Sequence, residues 1–205
     1  MHKNTEDSDH GHGVHNSTNA FRKSIGPILI LTSIFFLNFT SRISPAPLTP
    51  RIEWDLNLSH AETGTLFLFI SIGYFVTLIG SGFISSRLNH KRTIVISNMA
   101  LGIALMGTSF CSGPWTMRLG LFFVGMAAGL YLPSAIATLT SLVPSHHWGK
   151  AIAIHELAPN LSFIAAPLIS EAVLTSFSWR EVFLLMGVAA LVMSPIFMRF
   201  SRGGG

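Results

Sequence analysis

Ionisable side chains lie within long apolar stretches of this sequence, where such groups are costly and often functional. Arg42 follows Asn38 by four residues, so both side chains share one face if the stretch is helical. His155 and Glu156 are adjacent in a later apolar stretch, and Asn160 follows them. A guanidinium can hold a carboxylate or a phosphate through two hydrogen bonds, whereas histidine or glutamate can carry a proton. These residues predict an anion-binding group and a separate coupling or gating group.

Each of these residues also has a structural interpretation. Arg42 could extend to the outer membrane interface or pair with Glu171, and Glu156 could be a hydrogen-bonded residue at the interface. Counted along helices, Arg42 lies about 27 Å from the inner end of its segment. His155 and Glu156 lie only about 9–11 Å from the inner end of theirs. A direct contact between Arg42 and Glu156 is therefore not expected.

Hydroxyl and phenol groups recur at helical spacing in two further stretches. One carries Ser71, Tyr74, Ser81 and Ser85, and the other carries Tyr131, Ser134, Thr138 and Ser141. Such stripes can line a polar path, although small hydroxyl residues also join packed membrane helices. We predict that substrate is bound by Asn38, Arg42, Tyr74, Tyr131, Ser134 and Thr138.

A serine–histidine dyad offers an enzymatic alternative. Ser134 and His155 could lie at similar depths, as an intramembrane hydrolase would require. However, Ser134 follows Leu-Pro instead of sitting in a glycine-flanked nucleophile turn. We therefore favour a protein that is not an enzyme, and we predict no cofactor.

Composition excludes a soluble globule for this chain of 205 residues. Hydrophobic residues make up 49% and charged residues only 11%, whereas a soluble domain carries about 25% charged residues. The basic residues occur in short clusters between apolar runs, which indicates membrane orientation and not nucleic-acid binding. The lipid bilayer is thus the expected surrounding partner.

Six apolar segments follow a polar start, and each is close to or above the ~20 residues that cross a bilayer as a helix. Helices are required because lipid offers no hydrogen-bond partner to the backbone. Numbered one to six, they are Ser24–Pro47, Ala61–Ser85, Arg92–Cys111, Trp115–Val143, Gly149–Leu174 and Trp179–Phe200.

Local signals mark where three of these helices begin. Ser59 with Glu62 and Ser178 with Glu181 both fit the S-x-x-E capping box, at the starts of segments two and six. Pro114 stands at the start of segment four, where a first-turn proline is favoured.

The lysines and arginines predict the orientation. If the N-terminus is cytoplasmic, nine of them lie inside and three outside, a bias that places both termini in the cytoplasm. The inner ones are Lys3, Arg22, Lys23, Arg87, Lys91, Arg92, Lys150, Arg199 and Arg202, and the outer ones are Arg51, Arg118 and Arg180.

The polar stretch 1–23 is predicted to be a disordered cytoplasmic tail. Its histidines, with three nearby acidic residues, could bind a metal, but a short histidine-rich tract is only a compositional hint. We predict a solvated tail and no metal site. The histidines are His2, His10, His12 and His15.

Segments one, two, four and five carry most of the polar residues, and segments three and six are more apolar. The chain therefore divides into two triplets with the order polar, polar, apolar. This pattern predicts an all-α membrane protein of two three-helix repeats, with a polar interior and with segments three and six facing lipid.

The stretch after segment two resembles the loop 2–3 signature of the major facilitator superfamily, G-x-x-x-D-R-x-G-R-K. Matching residues, by position or by charge, are Gly82, Arg87, Lys91 and Arg92, while Ser86 stands at the usual Asp and Asn89 at the usual Gly. The start of segment six, Trp179 to Phe183, resembles the family's W-R-x-x-F. Segment four, with Arg118, Gly125–Gly129 and Pro133, is similar to the family's fourth helix.

This resemblance implies the N-terminal six-helix half of a secondary transporter for a small solute, working by alternating access. It implies a domain at 24–202, the start of a central linker at 203–205, and a second half that is missing, separate or another copy. Segment five lacks the Gly-Pro of the family's drug/proton antiporters, with Ala166 before Pro167. A subunit or degenerate half that transports nothing would have the same sequence features.

Overall fold

The computed structural model describes residues 7–202, and side chains between residues 21 and 200 except those of residues 23, 85 and 86. The described part is helical. Its α-helices are α1 Asp7–Ile43, α2 Pro45–Leu56, α3 His60–Arg87, α4 His90–Ser109, α5 Pro114–Gly129, α6 Tyr131–Ser141, α7 Trp148–His155, α8 Leu157–Leu174 and α9 Trp179–Arg202. A single 3₁₀ turn, Ser145–His147, joins α6 to α7.

Five helical stretches are long and apolar enough to cross a membrane, which confirms five of the six predicted segments at this level. They are Ser24–Leu56, His60–Ile84, Pro114–Ser141, Ser145–Leu174 and Trp179–Phe200.

The third segment is α4, which is 20 residues long and so about 30 Å in length. The sequence predicted a more apolar segment that faces lipid. Several polar side chains of α4 are instead buried against neighbouring helices, while its exposed large side chains are apolar. The hydroxyl of Ser97 donates to the carbonyl of Ala127 at 2.7 Å, and the amide of Asn98 donates to the carbonyl of Ala190 at 2.6 Å. These bonds keep polar groups of α4 inside the bundle and away from lipid.

The predicted helix starts are confirmed. The hydroxyl of Ser59 accepts from the backbone N–H of Glu62, whose carboxylate accepts from the N–H of Ser59, so α3 begins with a complete capping box. The N–H of Ser178 donates to the carboxylate of Glu181 at 3.0 Å, where α9 begins. Pro114 is the first residue of α5.

Three segments predicted as single helices are in fact divided, which corrects the sequence analysis. Segment one ends as a helix at Ile43 and not at Pro47, and α2 continues to Leu56. A proline lies at or shortly after each break, and its missing N–H leaves a carbonyl of the preceding turn without its usual partner. The breaks are at Ser44, Leu130 and Glu156, and the prolines are Pro45, Pro133 and Pro159.

The short helix α2 begins within segment one, extends beyond its predicted end, and is packed into the bundle. Its carboxylate Asp55 accepts a hydrogen bond from Trp179 Nε1 at 3.2 Å and another from Arg180. Arg180 also donates to the carbonyl of Cys111 at 3.0 Å. Asp55 thereby joins α2 to the start of α9 and, through Arg180, to the connection before α5. The buried apolar residues of α2 are Leu48, Ile52 and Leu56.

The backbone of α1 begins at Asp7, inside the stretch 1–23 for which the sequence predicted disorder. No proline occurs between Asp7 and Pro27, so the hydrogen-bond ladder of the apolar helix can extend toward the N-terminus. The histidines of that stretch lie outside the residues whose side chains are described.

The helices pair in a pattern that fits two equivalent triplets. Extensive contacts join segment two to four (α3 with α5), three to six (α4 with α9) and one to five (α1 with α8), and also three to four (α4 with α5). If segment one corresponds to four, two to five and three to six, the first and third of these pairs are equivalent, and the second is its own equivalent. This pairing agrees with the two three-helix repeats predicted from polarity.

Glycines allow the closest of these contacts, between α3 and α5. A Cβ atom added at Gly73 would overlap the carbonyl oxygen of Phe122, and one added at Gly125 would overlap the carbonyl oxygen of Ile70. Small residues let membrane helices approach until their backbones touch. Gly125, within the G-x-x-x-G of segment four, therefore sets the distance between the two helices.

We expect Gly125→Ala to lower the free energy of unfolding by about 1–3 kcal/mol, because the added methyl group must push α3 and α5 apart. Thermal unfolding of the detergent-solubilised chain, followed by circular dichroism, would measure this loss. The control is Gly80→Ala in α3, where an added Cβ meets no atom within 4 Å. Equal unfolding temperatures for the two variants would contradict the assigned role of Gly125.

Candidate functional site

The guanidinium of Arg42 lies close to two aromatic rings. Its central carbon is 4.3 Å from the ring centroid of Tyr74 on α3 and 4.8 Å from that of Phe39 on α1. Phe39 precedes Arg42 by three residues, so the helix itself brings the two side chains together. Both distances are within the range of a cation–π interaction. The structure thus joins two predicted substrate-binding residues, Arg42 and Tyr74.

An open cavity of about 370 Å³ borders this arginine. Apart from Arg42, every residue of its wall belongs to α3 and only two of those side chains carry a hydroxyl. The wall is formed by Arg42, Phe67, Ile70, Ser71, Tyr74, Phe75 and Leu78. Ser71 and Tyr74 belong to the polar stripe predicted from the sequence. The phenylalanines, whose spacing places them on the same face of α3, were not predicted as part of the site.

No carboxylate among the described residues forms an ion pair with Arg42. The described ion pairs of arginine involve other groups, Arg118 with Glu62 and Arg180 with Asp55. Two histidine–glutamate contacts, His60 with Glu53 and His155 with Glu156, are ion pairs only when the histidine is protonated. Glu171, the predicted alternative partner of Arg42, is exposed. The Nε atom of Arg42 is buried and meets no acceptor in the described part of the chain. The arginine is therefore a half-buried cation without a counter-charge there.

Asn38 is not in the wall of this cavity. It is buried, and its amide lies 3.4 Å from the carbonyl of Ala128 near the end of α5. Two more side chains meet the preceding carbonyls, since Thr77 donates to Met126 at 2.7 Å and Ser97 donates to Ala127. Three helices, α1, α3 and α4, thus each send one donor to consecutive carbonyls. We call the carbonyls of residues 126–128 the α5 carbonyl cluster.

Tyr131, Ser134 and Thr138 are also buried within the bundle. The hydroxyl of Thr138 donates to the carbonyl of Ser134 at 2.8 Å, and Ser134 Oγ lies 3.5 Å from His90 Nδ1. Tyr131 donates to the carbonyl of Leu31 at 2.7 Å. These contacts fit the packing role that the sequence analysis left open, and substrate binding by these three residues remains a prediction.

The predicted coupling or gating residues cluster at the break between α7 and α8. His155 is the last residue of α7, and Glu156 is the residue at the break. Asn160 donates from its amide to the carbonyl of Glu156 at 2.9 Å. His155 is fully buried, whereas Glu156 and Asn160 are exposed.

Arg42 and the His155–Glu156 pair lie at different depths, as their contacts with α1 show. The ring of His155 stacks on Phe35 with their centroids 4.4 Å apart, and Phe35 precedes Arg42 by seven residues, or about 10 Å of helix. This spacing agrees with the expectation that Arg42 and Glu156 do not pair.

The hydrolase alternative finds no support in these contacts. The Nε2 atom of His155 lies 3.1 Å from the hydroxyl of Tyr131, and the polar contact of Ser134 is to His90. Among the residues whose side chains are described, no group of three or more His, Cys, Asp and Glu residues could hold a metal ion.

The residues of the loop 2–3 signature lie where α3 ends and α4 begins. Gly82 is exposed, and Arg87, the last residue of α3, lies 4.9 Å from the ring centroid of Phe83. Asn89 caps α4, its side chain accepting from the N–H of Arg92 at 2.9 Å. Lys91 borders two cavities beside α9. The side chain of Ser86 lies outside the described residues.

This arrangement is that of a helical membrane domain built from two three-helix repeats. The sequence profile of the Major Facilitator Superfamily matches residues 31–203. The chain therefore belongs to the Major Facilitator Superfamily and is an integral membrane protein.

Similar proteins agree with this assignment. The chain is 28% identical over 164 residues to the inner membrane metabolite transport protein YdjE of Escherichia coli, covering 80% of this chain and 35% of YdjE. It is 29% identical over 150 residues to a gentisate transporter of Corynebacterium glutamicum, covering 72% of this chain and 33% of that protein. The chain spans about a third of the length of these curated relatives.

A solved structure shows the same fold. A bacterial homologue of the human lysosomal transporter Spinster, in an inward-facing and occupied conformation, superposes with a TM-score of 0.76 at 19% identity. The superposition covers 83% of this chain and 43% of that structure. The fold class predicted from the sequence is thereby confirmed.

We expect Asn38→Ala to lower the free energy of unfolding by about 1 kcal/mol, because it removes a buried donor from the α5 carbonyl cluster. Chemical denaturation in mixed micelles would measure the loss. Asn160→Ala is the matched control, since it removes an exposed amide–carbonyl bond and should change stability by less than about 0.5 kcal/mol. Equal losses of unfolding free energy in the two variants would contradict a stabilising bond from Asn38 to the α5 carbonyl cluster.

Proposed function

We propose that this chain forms one half of a secondary transporter for a small organic anion. In such transporters the substrate site lies near the middle of the membrane, between two halves that rock around it. The cavity beside Arg42 is open on one side, as a half-site would be. A second six-helix half, whether on a longer version of this chain, a separate chain or another copy, would close it.

The observation that carries this proposal is the unpaired guanidinium of Arg42. A cation held away from water without a counter-charge is costly, and a carboxylate, sulfonate or phosphate on a substrate would supply that charge through two hydrogen bonds. The guanidinium lies over the Tyr74 and Phe39 rings, and its Nε–H has no acceptor among the described residues, so a donor is left for an anion.

The rest of the wall favours an anion with an apolar or aromatic body. The cavity is lined by the aromatic rings of Phe67, Tyr74 and Phe75, and its polar groups are the guanidinium of Arg42 and the hydroxyls of Ser71 and Tyr74. Gentisate, the substrate in the name of one relative, is an aromatic carboxylate of this kind. We use it as the first probe of this chain's substrate class.

For the completed transporter, meaning this chain joined to its second half, we expect uptake of radiolabelled gentisate by proteoliposomes. Arg42→Ala should reduce uptake at least about ten-fold, because it removes one charge-assisted hydrogen-bond pair. Arg42→Lys should reduce it too, since lysine keeps the charge but loses the planar fork. The 205-residue chain alone should give no uptake.

Arg51→Ala is the control for this experiment, because Arg51 is an exposed arginine on α2. An excess of 2,5-dihydroxybenzamide, the uncharged analogue, should compete poorly with gentisate. Unchanged uptake in both Arg42 variants would overturn the role of the arginine. Uptake by the monomeric chain alone would overturn the half-transporter.

We also propose that both termini are cytoplasmic. In support, the outer positions of this orientation lie together: Arg118 contacts Thr65 at 2.9 Å and Glu62 at 3.8 Å, and Arg180 pairs with Asp55. The first contacts join the starts of α3 and α5, and the last joins the end of α2 to the start of α9; α2 runs directly into α3, so both links lie at one end of the bundle. The more numerous inner lysines and arginines then lie at the opposite end.

A topology reporter tests this orientation. Alkaline phosphatase, which folds only in the periplasm, should be inactive when fused after Arg202 and active when fused in the stretch 110–113. Green fluorescent protein at the same two sites should give the reverse result. An active phosphatase after Arg202 would contradict the proposal.

A further inference from the structure

A buried histidine lies beside an exposed glutamate where α7 breaks from α8. The side chain of His155 is completely inaccessible, while the side chain of Glu156 is 50% exposed. His155 Nδ1 and Glu156 Oε1 are 3.6 Å apart. The anion-binding site around Arg42 does not use either residue.

Hydrogen bonding fixes which nitrogen of neutral His155 carries its hydrogen. The one hydroxyl hydrogen of Tyr131 is donated to the carbonyl of Leu31 at 2.7 Å. The phenol oxygen can then only accept from His155 Nε2, 3.1 Å away, so Nε2 carries the hydrogen. The Nδ1 atom of the neutral ring is therefore left with a lone pair.

That lone pair faces a carboxylate. Nδ1 is buried and has no hydrogen-bond partner among the described residues, and the nearest charged group is Glu156. Two acceptors facing each other repel, whereas a proton on Nδ1 turns the contact into an attraction between imidazolium and carboxylate. A single proton on Nδ1 would therefore convert this contact into an ion pair.

The ring stack also favours a charged histidine. Phe35 lies parallel to the imidazole, with centroids 4.4 Å apart and planes inclined by 9°. The face of an aromatic ring attracts a cation at this distance. The described titratable groups in contact with His155 are Tyr131 from α6 and Glu156 from the break, while α1 contributes the Phe35 ring.

We propose that His155 and Glu156 form a proton-binding site, in which His155 Nδ1 holds the proton and Glu156 exchanges it with the exposed side. Glu156 terminates α7 at the proline-associated break, so protonation changes the charge pairing where segment five is divided. If the proposed anion transport is correct, proton uptake at this site would accompany movement of segment five. Proton binding itself does not depend on that transport.

The test is nitrogen-15 NMR of the 205-residue chain, labelled at histidine and placed in lipid nanodiscs. The chain has nine histidines, so the His155 signals are found by subtracting the spectrum of His155→Gln. Near pH 8 we expect Nε2 to be protonated and Nδ1 bare, and near pH 5 both should be protonated. Glu156→Gln should weaken proton binding by about ten-fold, because the amide offers no negative charge.

Two further variants separate proton binding from a packing effect. Glu171→Gln removes an exposed carboxylate elsewhere on α8 and should leave the titration of His155 unchanged. Tyr131→Phe removes the acceptor of Nε2–H, so the preference for that nitrogen should be lost near pH 8. Since Glu156 is exposed, its replacement leaves the core packing intact, and circular dichroism would verify the helical content of every variant.

Nδ1 that stays bare from pH 8 to pH 5 would overturn the proposal. An identical titration in Glu156→Gln and Glu171→Gln would do the same. A failure of gentisate uptake would count against the anion transporter alone, because the NMR titration detects the proton directly.

Discussion

The α5 carbonyl cluster is the contact on which the arrangement of the first four segments depends. At the end of α5, before the break, three consecutive carbonyls accept hydrogen bonds from side chains of other helices, in surroundings where hydrocarbon offers polar groups no partner. Asn38, Thr77 and Ser97 provide donors from three different helices. The end of one helix is therefore bonded to α1, α3 and α4, and Gly125 permits the close approach of α3 that the Thr77 bond requires.

The sequence predicted the helices well because their determinants are local. Apolar length, the Ser59 capping box and Pro114 at a helix start all act within one or two turns, and the structure agrees with each. The breaks were harder to place, because a proline within an apolar run predicts a bend but does not reveal which residue ends the helix. The packed helix α2 escaped notice since its fixing contact, Asp55 with Arg180, joins residues far apart in the sequence.

The candidate sites likewise depend on contacts between helices, which the sequence alone does not reveal. Arg42 and Tyr74 could be nominated from residue type, but their stacking depends on how closely α1 meets α3. Residue type alone also grouped Asn38 with Arg42, because both lie on one face of α1. The structure separates them, because residues one turn apart on a helix can contact different neighbours. Asn38 contacts α5, whereas Arg42 contacts Tyr74 on α3. Side chains that bind backbone carbonyls cannot be told from substrate ligands without knowing those neighbours.

The equivalence of the α3–α5 and α1–α8 pairs bears on how such repeats diverge. In the α3–α5 contact, Gly73 and Gly125 have no side chain and so let the two backbones touch. In the α1–α8 contact, the hydroxyl of Thr40 donates a hydrogen bond to that of Ser162 at 2.9 Å. One geometric requirement is thus met by two unrelated chemistries. An internal duplication can therefore persist in shape after its sequence signal has eroded, and transplanting residues between the copies would damage both.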